Sequence, residues 1–132
     1  MKKRINVVGA VLTKDQMIFT AQRSSKMSLA GMWEFPGGKI EPSETPKEAL
    51  LRELKEELLC TAEIGDLIKT TEYEYEFGIV ILTTFYCKLV GEEPKLTEHS
   101  EIRWIHVSEL NQLNWAPADI PAVMKVMKDF QV

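Results

Sequence analysis

The sequence predicts a small α/β (α+β) domain, and three observations carry that expectation. β-branched and aromatic runs recur along most of the 132 residues, two stretches place apolar residues at helical spacing, and a glycine-containing segment leads from the early runs into the first helix. With 45% hydrophobic residues, the length suits one domain over residues 1–132 that buries about two-thirds of the surface its unfolded chain exposes.

Residues 5–12 (INVVGAVL) and 17–22 (MIFTAQ) read as two strands joined by a hairpin at Lys14-Asp15-Gln16. The basic start followed by an apolar run imitates a signal peptide. However, Asn6 interrupts the run and Thr13-Lys14-Asp15 follows with no small-residue cleavage site, so a first strand is expected. No other stretch approaches membrane-spanning length.

Arg23 opens a polar loop, RSSKMSLAG, from which Arg23 and Lys26 are candidates to reach a ligand. Trp33–Phe35 reads as extended. Pro36-Gly37-Gly38 predicts a tight turn in which the glycines supply positive φ and let a ligand approach the backbone. Lys39 then stands beside the turn, placed to meet a phosphate as a point charge.

The spacing predicts a helix over 46–58. Thr45 suits the N-cap, Pro46 the first helical position, and Glu48 completes a Thr-x-x-Glu capping box. Leu50, Leu51, Leu54 and Leu58 form one side, while Glu53, Glu56 and Glu57 fall within an arc of roughly 100° on the other. Carboxylates so close repel one another, and a hard divalent cation, which takes oxygen ligands, removes that cost. Arg52 lies at helical spacing from Glu48, Glu53 and Glu56, where it can pair with them and fix the rotamer of one carboxylate.

Beyond the helix, residues 62–67 and 69–76 read as two strands, and 79–90 (IVILTTFYCKLV) as a central one after Gly78. Gly91–Pro94 turns the chain, 96–101 is a polar loop, 102–107 a strand and 108–110 a short helical turn. Ala116–Pro121 introduces a last helix with Val123, Val126, Met127 and Phe130 on its core side. The ordinary role for Asp119 there is an N-cap. His99 and His106 have no partner at ligand spacing and are assigned to surface or packing roles.

The net charge of −4, with no basic cluster longer than Lys2-Lys3-Arg4, excludes a groove for polymeric DNA or RNA. Cys60 and Cys87 are too few and too isolated for a disulfide framework or zinc site. They read as core thiols in a reducing, cytoplasmic setting.

Gly38, five residues, Glu44, seven residues and then Arg52-Glu53-Leu54-Lys55-Glu56-Glu57 resembles the signature of the Nudix hydrolases. The preceding WEFPGGK and the tail APADIP resemble the MutT-like branch, and within it the bacterial CTP pyrophosphohydrolases. The likeness covers essentially the whole chain. It departs at Leu59, where the family has a glycine that ends the helix in a left-handed conformation, a cost to Leu of roughly 1 kcal/mol.

The resemblance implies an α/β/α sandwich with a mixed β-sheet between helices. It implies a magnesium- or manganese-dependent enzyme, acting as a monomer or homodimer, that hydrolyses a nucleoside triphosphate to a monophosphate and pyrophosphate. The metal would be held by the Gly37 carbonyl, Glu53, Glu56 and Glu57, with Glu98 as a further ligand or the general base. Glu53 is the other candidate base, oriented by Arg52. Arg23 and Lys39 would contact phosphates or nucleotide, and Glu34, Phe35 and Asp119 would belong to the base pocket.

An ionised Asp119 would accept from the exocyclic amine of cytosine, which favours CTP, dCTP or modified cytosine nucleotides. A carboxyl neutralised by burial would read an oxidised purine such as 8-oxo-dGTP. Non-catalytic nucleotide-binding relatives typically lack part of the glutamate set, and this chain keeps all of it.

Overall fold

The computed structural model describes residues 1–132, and its sheet is organised around strand β1 (Arg4–Lys14). Along one edge β1 runs parallel to β6 (Gly78–Leu89), from Arg4 opposite Ile79 to Leu12 opposite Cys87. β6 in turn pairs antiparallel with β5 (Ala62–Tyr75). The other edge of β1 takes the short β4 (Gly37–Lys39) at Val7–Gly9, and further along it turns at Asp15 into β2 (Met17–Gln22). β2 carries β3 (Trp33–Glu34) and β7 (Glu101–His106). The sheet is therefore mixed.

Alternation along β1 sorts its side chains to two faces. Val8, Ala10 and Leu12 pack with Ala49, Leu50, Leu54 and Leu58 of helix α1 (Pro46–Leu58), together with Phe19 and Phe85. Val11 joins a second cluster, in which Ala122, Val123 and Val126 of helix α2 (Ile120–Asp129) meet Ile18, Trp33, Phe35 and Trp115. One helix on each face makes the expected α/β/α sandwich.

Each fully buried leucine of α1 contributes roughly 1.5–3 kcal/mol. The capping box adds about 1 kcal/mol, so packing rather than the cap fixes where the helix lies. Thr45 Oγ1 accepts from the Glu48 N–H and the Glu48 carboxylate accepts from the Thr45 N–H, so both halves of the box are present. Leu51, expected on the core side, lies on the rim and is exposed.

Two further expectations are corrected. Pro36-Gly37-Gly38 is no tight turn: the chain bends at Pro36, and the glycines continue as β4 without positive φ. Glycine is required there by crowding. A Cβ on Gly37 would stand 1.9 Å from the Val8 carbonyl oxygen, and one on Gly38 would stand 2.4 Å from the Glu53 carboxyl carbon. Residues 62–75 are one strand rather than two, with register shifts between Ile64 and Lys69 absorbed against an unbroken β6. The strand at 102–107 and helical turn at 108–110 appear as β7 and a 3₁₀ turn over Val107–Gln112. No helix is long and apolar enough to cross a membrane.

Helix α1 ends at Leu59, which adopts φ 52° and ψ 38°. The backbone N–H groups of Leu59 and Cys60 both donate to the Leu54 carbonyl. Leu therefore fills a left-handed position with its side chain exposed, leaving little packing to set against the strain. Relief of that strain exceeds the flexibility glycine adds to the unfolded chain, so Leu59→Gly should stabilise the protein by about 0.5–1 kcal/mol. Thermal unfolding should then show a midpoint raised by about 2–4 °C.

Candidate active site

The carboxylate face of α1 is anchored by Arg52. Its Nε and Nη2 donate to the two oxygens of Glu44 at 2.6 and 2.8 Å, and Nη2 also donates to the Lys39 carbonyl at 3.0 Å. Nη1 reaches Glu53 at 3.0 Å and Glu56 at 3.4 Å. Glu48, expected as a partner, is occupied by the capping box, and Glu44 is the main one instead. Hydrogen bonds from Arg52 hold the Glu44 carboxyl down at about 2.

With Arg52 on one side, Glu53 lies against the backbone of Gly38 and meets Glu57 on the other. Burial, then the hydrogen bond with Glu53, then the charges of Glu53, Glu34 and Glu98, push Glu57 up to about 9. This is an anionic cluster with oxygen donors only, the donor chemistry that suits a hard divalent cation. As the side chains stand, no three acidic, histidine or cysteine groups converge closely enough to enclose an ion. Glu53 and Glu57 come together, while Glu56 and Glu98 remain exposed at the margin.

Glu98 is brought to that margin by ties from its neighbours in the loop rather than by its own side chain. The Lys95 N–H donates to the Leu58 carbonyl at 2.8 Å, the Thr97 hydroxyl donates to the Glu57 carbonyl, and the Ser100 N–H donates to the Gln22 carbonyl at 3.0 Å.

A cavity of about 420 Å³ opens beside the cluster, within the size range of small-molecule sites. Its walls include Arg23, Glu34, Phe35, Gly37, Lys39, Glu57 and Asp119, seven of the residues singled out from sequence. Lys26 is exposed and takes no part in the lining. Arg23 is not a free cation: its Nη1 lies 2.6 Å from Glu34, and its Nε donates to the Ser28 carbonyl at 2.5 Å.

Asp119 does not cap α2. The Trp33 N–H donates to the Asn114 carbonyl and the Ala116 N–H donates to the Trp33 carbonyl, both at 2.9 Å, which brings the following 3₁₀ turn (Pro117–Asp119) against Phe35. There the buried Asp119 carboxylate accepts from the Phe35 N–H at 3.0 Å. Burial first, and the Glu34 charge second, raise its proton affinity well above the usual carboxylate range. Phe35 packs on Trp115 with ring centres 4.7 Å apart.

Two residues of this neighbourhood escaped the sequence reading. Tyr75 lines the cavity, accepts from the Ala118 N–H at 2.8 Å, and stacks on Phe77 with ring centres 4.9 Å apart. The alternation of TTEYEYE, which sets Tyr73 and Tyr75 on one face, was a usable signal for it. His99 is buried and contacts Glu34, and no local signal marks it. His106 sits at the start of the 3₁₀ turn, where its Nδ1 accepts from the Ser108 N–H.

Known proteins resemble this chain over nearly its whole length. The CTP pyrophosphohydrolase of Escherichia coli K12 is 37% identical, over 95% of this chain and 93% of its own. The 8-oxo-dGTP diphosphatase of the same organism is 33% identical, over 97% and 99%. The solution structure of the DNA mismatch repair protein MutT, a Nudix-family hydrolase from methicillin-resistant Staphylococcus aureus 252, is 60% identical. It covers 98% of this chain and 99% of its own, with a TM-score of 0.81. The NUDIX domain matches residues 3–126, and on this agreement of sequence, fold and relatives the chain belongs to the Nudix hydrolase family as a MutT-like pyrophosphohydrolase.

Proposed function

We propose that this protein is a Mg²⁺- or Mn²⁺-dependent nucleoside triphosphate pyrophosphohydrolase that releases a nucleoside monophosphate and pyrophosphate, with CTP, dCTP or modified cytosine nucleotides as substrates. The observation that carries this reading is a single cavity lined both by Glu57, from the carboxylate cluster, and by the buried carboxyl of Asp119. We take residues 1–132 to work as one cytoplasmic domain, as a monomer or homodimer, with no nucleic-acid polymer or membrane as partner.

Glu53, Glu57 and the Gly37 carbonyl would hold the cation, with the exposed Glu56 and Glu98 as further oxygen donors. The bound cation supplies neutralisation of phosphoryl charge and a more acidic water. Arg52 orients Glu53 by a direct hydrogen bond, while Glu53 or Glu98 takes the proton of the attacking water. Lys39 neutralises phosphate charge as a point cation. Arg23 and Glu34, already locked together, form a polar wall for the nucleotide beside Phe35 and Asp119.

Burial favours the neutral carboxyl at Asp119, which presents a donor and an acceptor side by side. Cytosine offers the complement in its N3 acceptor and N4 amine, and the amine still donates if the carboxyl ionises. The O6 and N7–H edge of 8-oxoguanine is equally complementary to the neutral form, and its N7–H likewise donates to the ionised one. The second reading, an oxidised-purine sanitising enzyme, is favoured by the relatives named 8-oxo-dGTP diphosphatase at 33% and 36% identity. Cytosine is placed ahead because the tail APADIP resembles that of the CTP pyrophosphohydrolases and a relative of that name is 37% identical over 95% of this chain.

Glu53→Gln and Glu57→Gln should each lower turnover by about 100-fold or more with the fold intact; undiminished pyrophosphate release from both variants would sink the metal-dependent reading. Gly38→Ala should cost a comparable factor, because its Cβ occupies the space of the Glu53 carboxyl and a shift of about 1 Å at a reacting group costs on the order of 100-fold. Substrate identity is tested by pyrophosphate release from CTP, dCTP, 5-methyl-dCTP, dGTP and 8-oxo-dGTP at fixed Mg²⁺. A cytosine nucleotide should lead, with KM raised about tenfold or more by Asp119→Ala; a preference for the oxidised purine beyond about tenfold would reverse the assignment.

A further inference from the structure

The His99 side chain has no exposed surface and does not line the cavity, yet it touches the cavity wall through one partner. Nε2 stands 2.8 Å from Glu34 Oε2, while the other Glu34 oxygen takes Arg23 Nη1 at 2.6 Å. The second ring nitrogen, Nδ1, is buried with no hydrogen-bond partner.

That combination separates His99 from an ordinary packing histidine. Glu34, paired with a guanidinium, offers only acceptor oxygens, so Nε2 carries the proton and donates. Nδ1 is then a lone pair, less costly to bury unpaired than an N–H. The ring is thus held in one tautomer with its only donor aimed at Glu34. Both carboxylate oxygens of Glu34 are engaged, one by each neighbour, so its terminal rotation cannot preserve both bonds in another orientation.

The backbone around His99 is secured independently, through Lys95, Thr97 and Ser100. Loss of the ring therefore leaves the loop carrying Glu98 attached at three points and releases chiefly Glu34.

We propose that His99 is a positioning residue for nucleotide binding: its Nε2–H holds Glu34, and through Glu34 the Arg23 guanidinium, in the orientation that the cavity presents to the nucleotide. The inference rests on the reading of this cavity as the nucleotide site. It assigns His99 an effect on substrate binding rather than on the chemical step, exerted entirely through Glu34.

The test compares CTP hydrolysis and thermal unfolding in the unmodified protein, His99→Ala, His99→Gln, His99→Asn, Glu34→Ala and the His99→Ala/Glu34→Ala pair. Loss of a hydrogen bond to a charged group should raise KM about tenfold in His99→Ala, with kcat within about threefold. Gln, whose amide N–H can reach the place of Nε2, should recover most of the loss, whereas the shorter Asn should not. In the Glu34→Ala background His99→Ala should add less than about twofold, since a residue acting through another has nothing left to act on.

An effect confined to kcat, full additivity in the pair, or an unmoved KM in a folded His99→Ala protein would overturn the proposal. If His99→Ala does not fold, equal KM values for the Gln and Asn variants would do the same. Absence of nucleotide turnover by the unmodified protein would overturn the functional reading itself, and this inference with it.

Discussion

The hub of this structure is one guanidinium. Arg52 joins three separate pieces of chain: Glu44 in the loop before α1, the Lys39 carbonyl at the end of β4, and Glu53 and Glu56 on the helix itself. An exposed ion pair contributes little, with a median near 0–1 kcal/mol. This one is two-pronged toward Glu44 and shielded on both sides, with about a quarter of the Arg52 side chain and less of Glu44 open to solvent. Planar, doubly bonded pairs of that kind are the ones that fix geometry. Because Arg52 holds β4 and the helix in register, Glu53 can lie directly on Gly38, and the absence of a side chain there becomes a structural requirement.

That requirement explains what the sequence could and could not disclose. The bounds of α1 were legible because caps and apolar period are local: Thr45, Pro46 and Glu48 act within one turn, and Leu50, Leu54 and Leu58 follow the helical repeat. Gly37-Gly38 misled because a glycine pair is locally indistinguishable from a turn. What demands glycine there is the Val8 carbonyl on one side and the Glu53 carboxyl on the other, both distant in sequence. Likewise, helical spacing shows only the neighbours Arg52 has within its own helix and is blind to Glu44.

The same distinction governs the cavity wall. His99 follows Glu98, but nothing local ties its ring to a pocket wall, and its partner Glu34 lies 65 residues away. Asp119 stands where a helix N-cap belongs, but the ties between Trp33 and the 114–116 segment turn it toward Phe35 instead. The split of 62–75 into two strands followed a real irregularity, since the register does shift between Ile64 and Lys69. The continuous partner β6 carries the strand across it. Where a residue's role depends on what packs over it, only the fold discloses it.

The costs in this protein are unevenly placed along α1. Its first half is satisfied: the capping box pairs the Thr45 and Glu48 N–H groups and Arg52 neutralises Glu44. Its last turn is not. Glu57 is half-buried against Glu53, the helix ends on a left-handed Leu59, and the dipole at that end is itself negative, which disfavours the carboxylates of Glu56 and Glu57 further. Surface solvation would relieve such a charge excess, but burial denies it to Glu57. A proton relieves it in the protein alone; a divalent cation would relieve more of it, since its charge acts on every carboxylate in reach. The anchored half of the helix gives the frustrated half a fixed position, and that division lets one short helix serve both as core and as site.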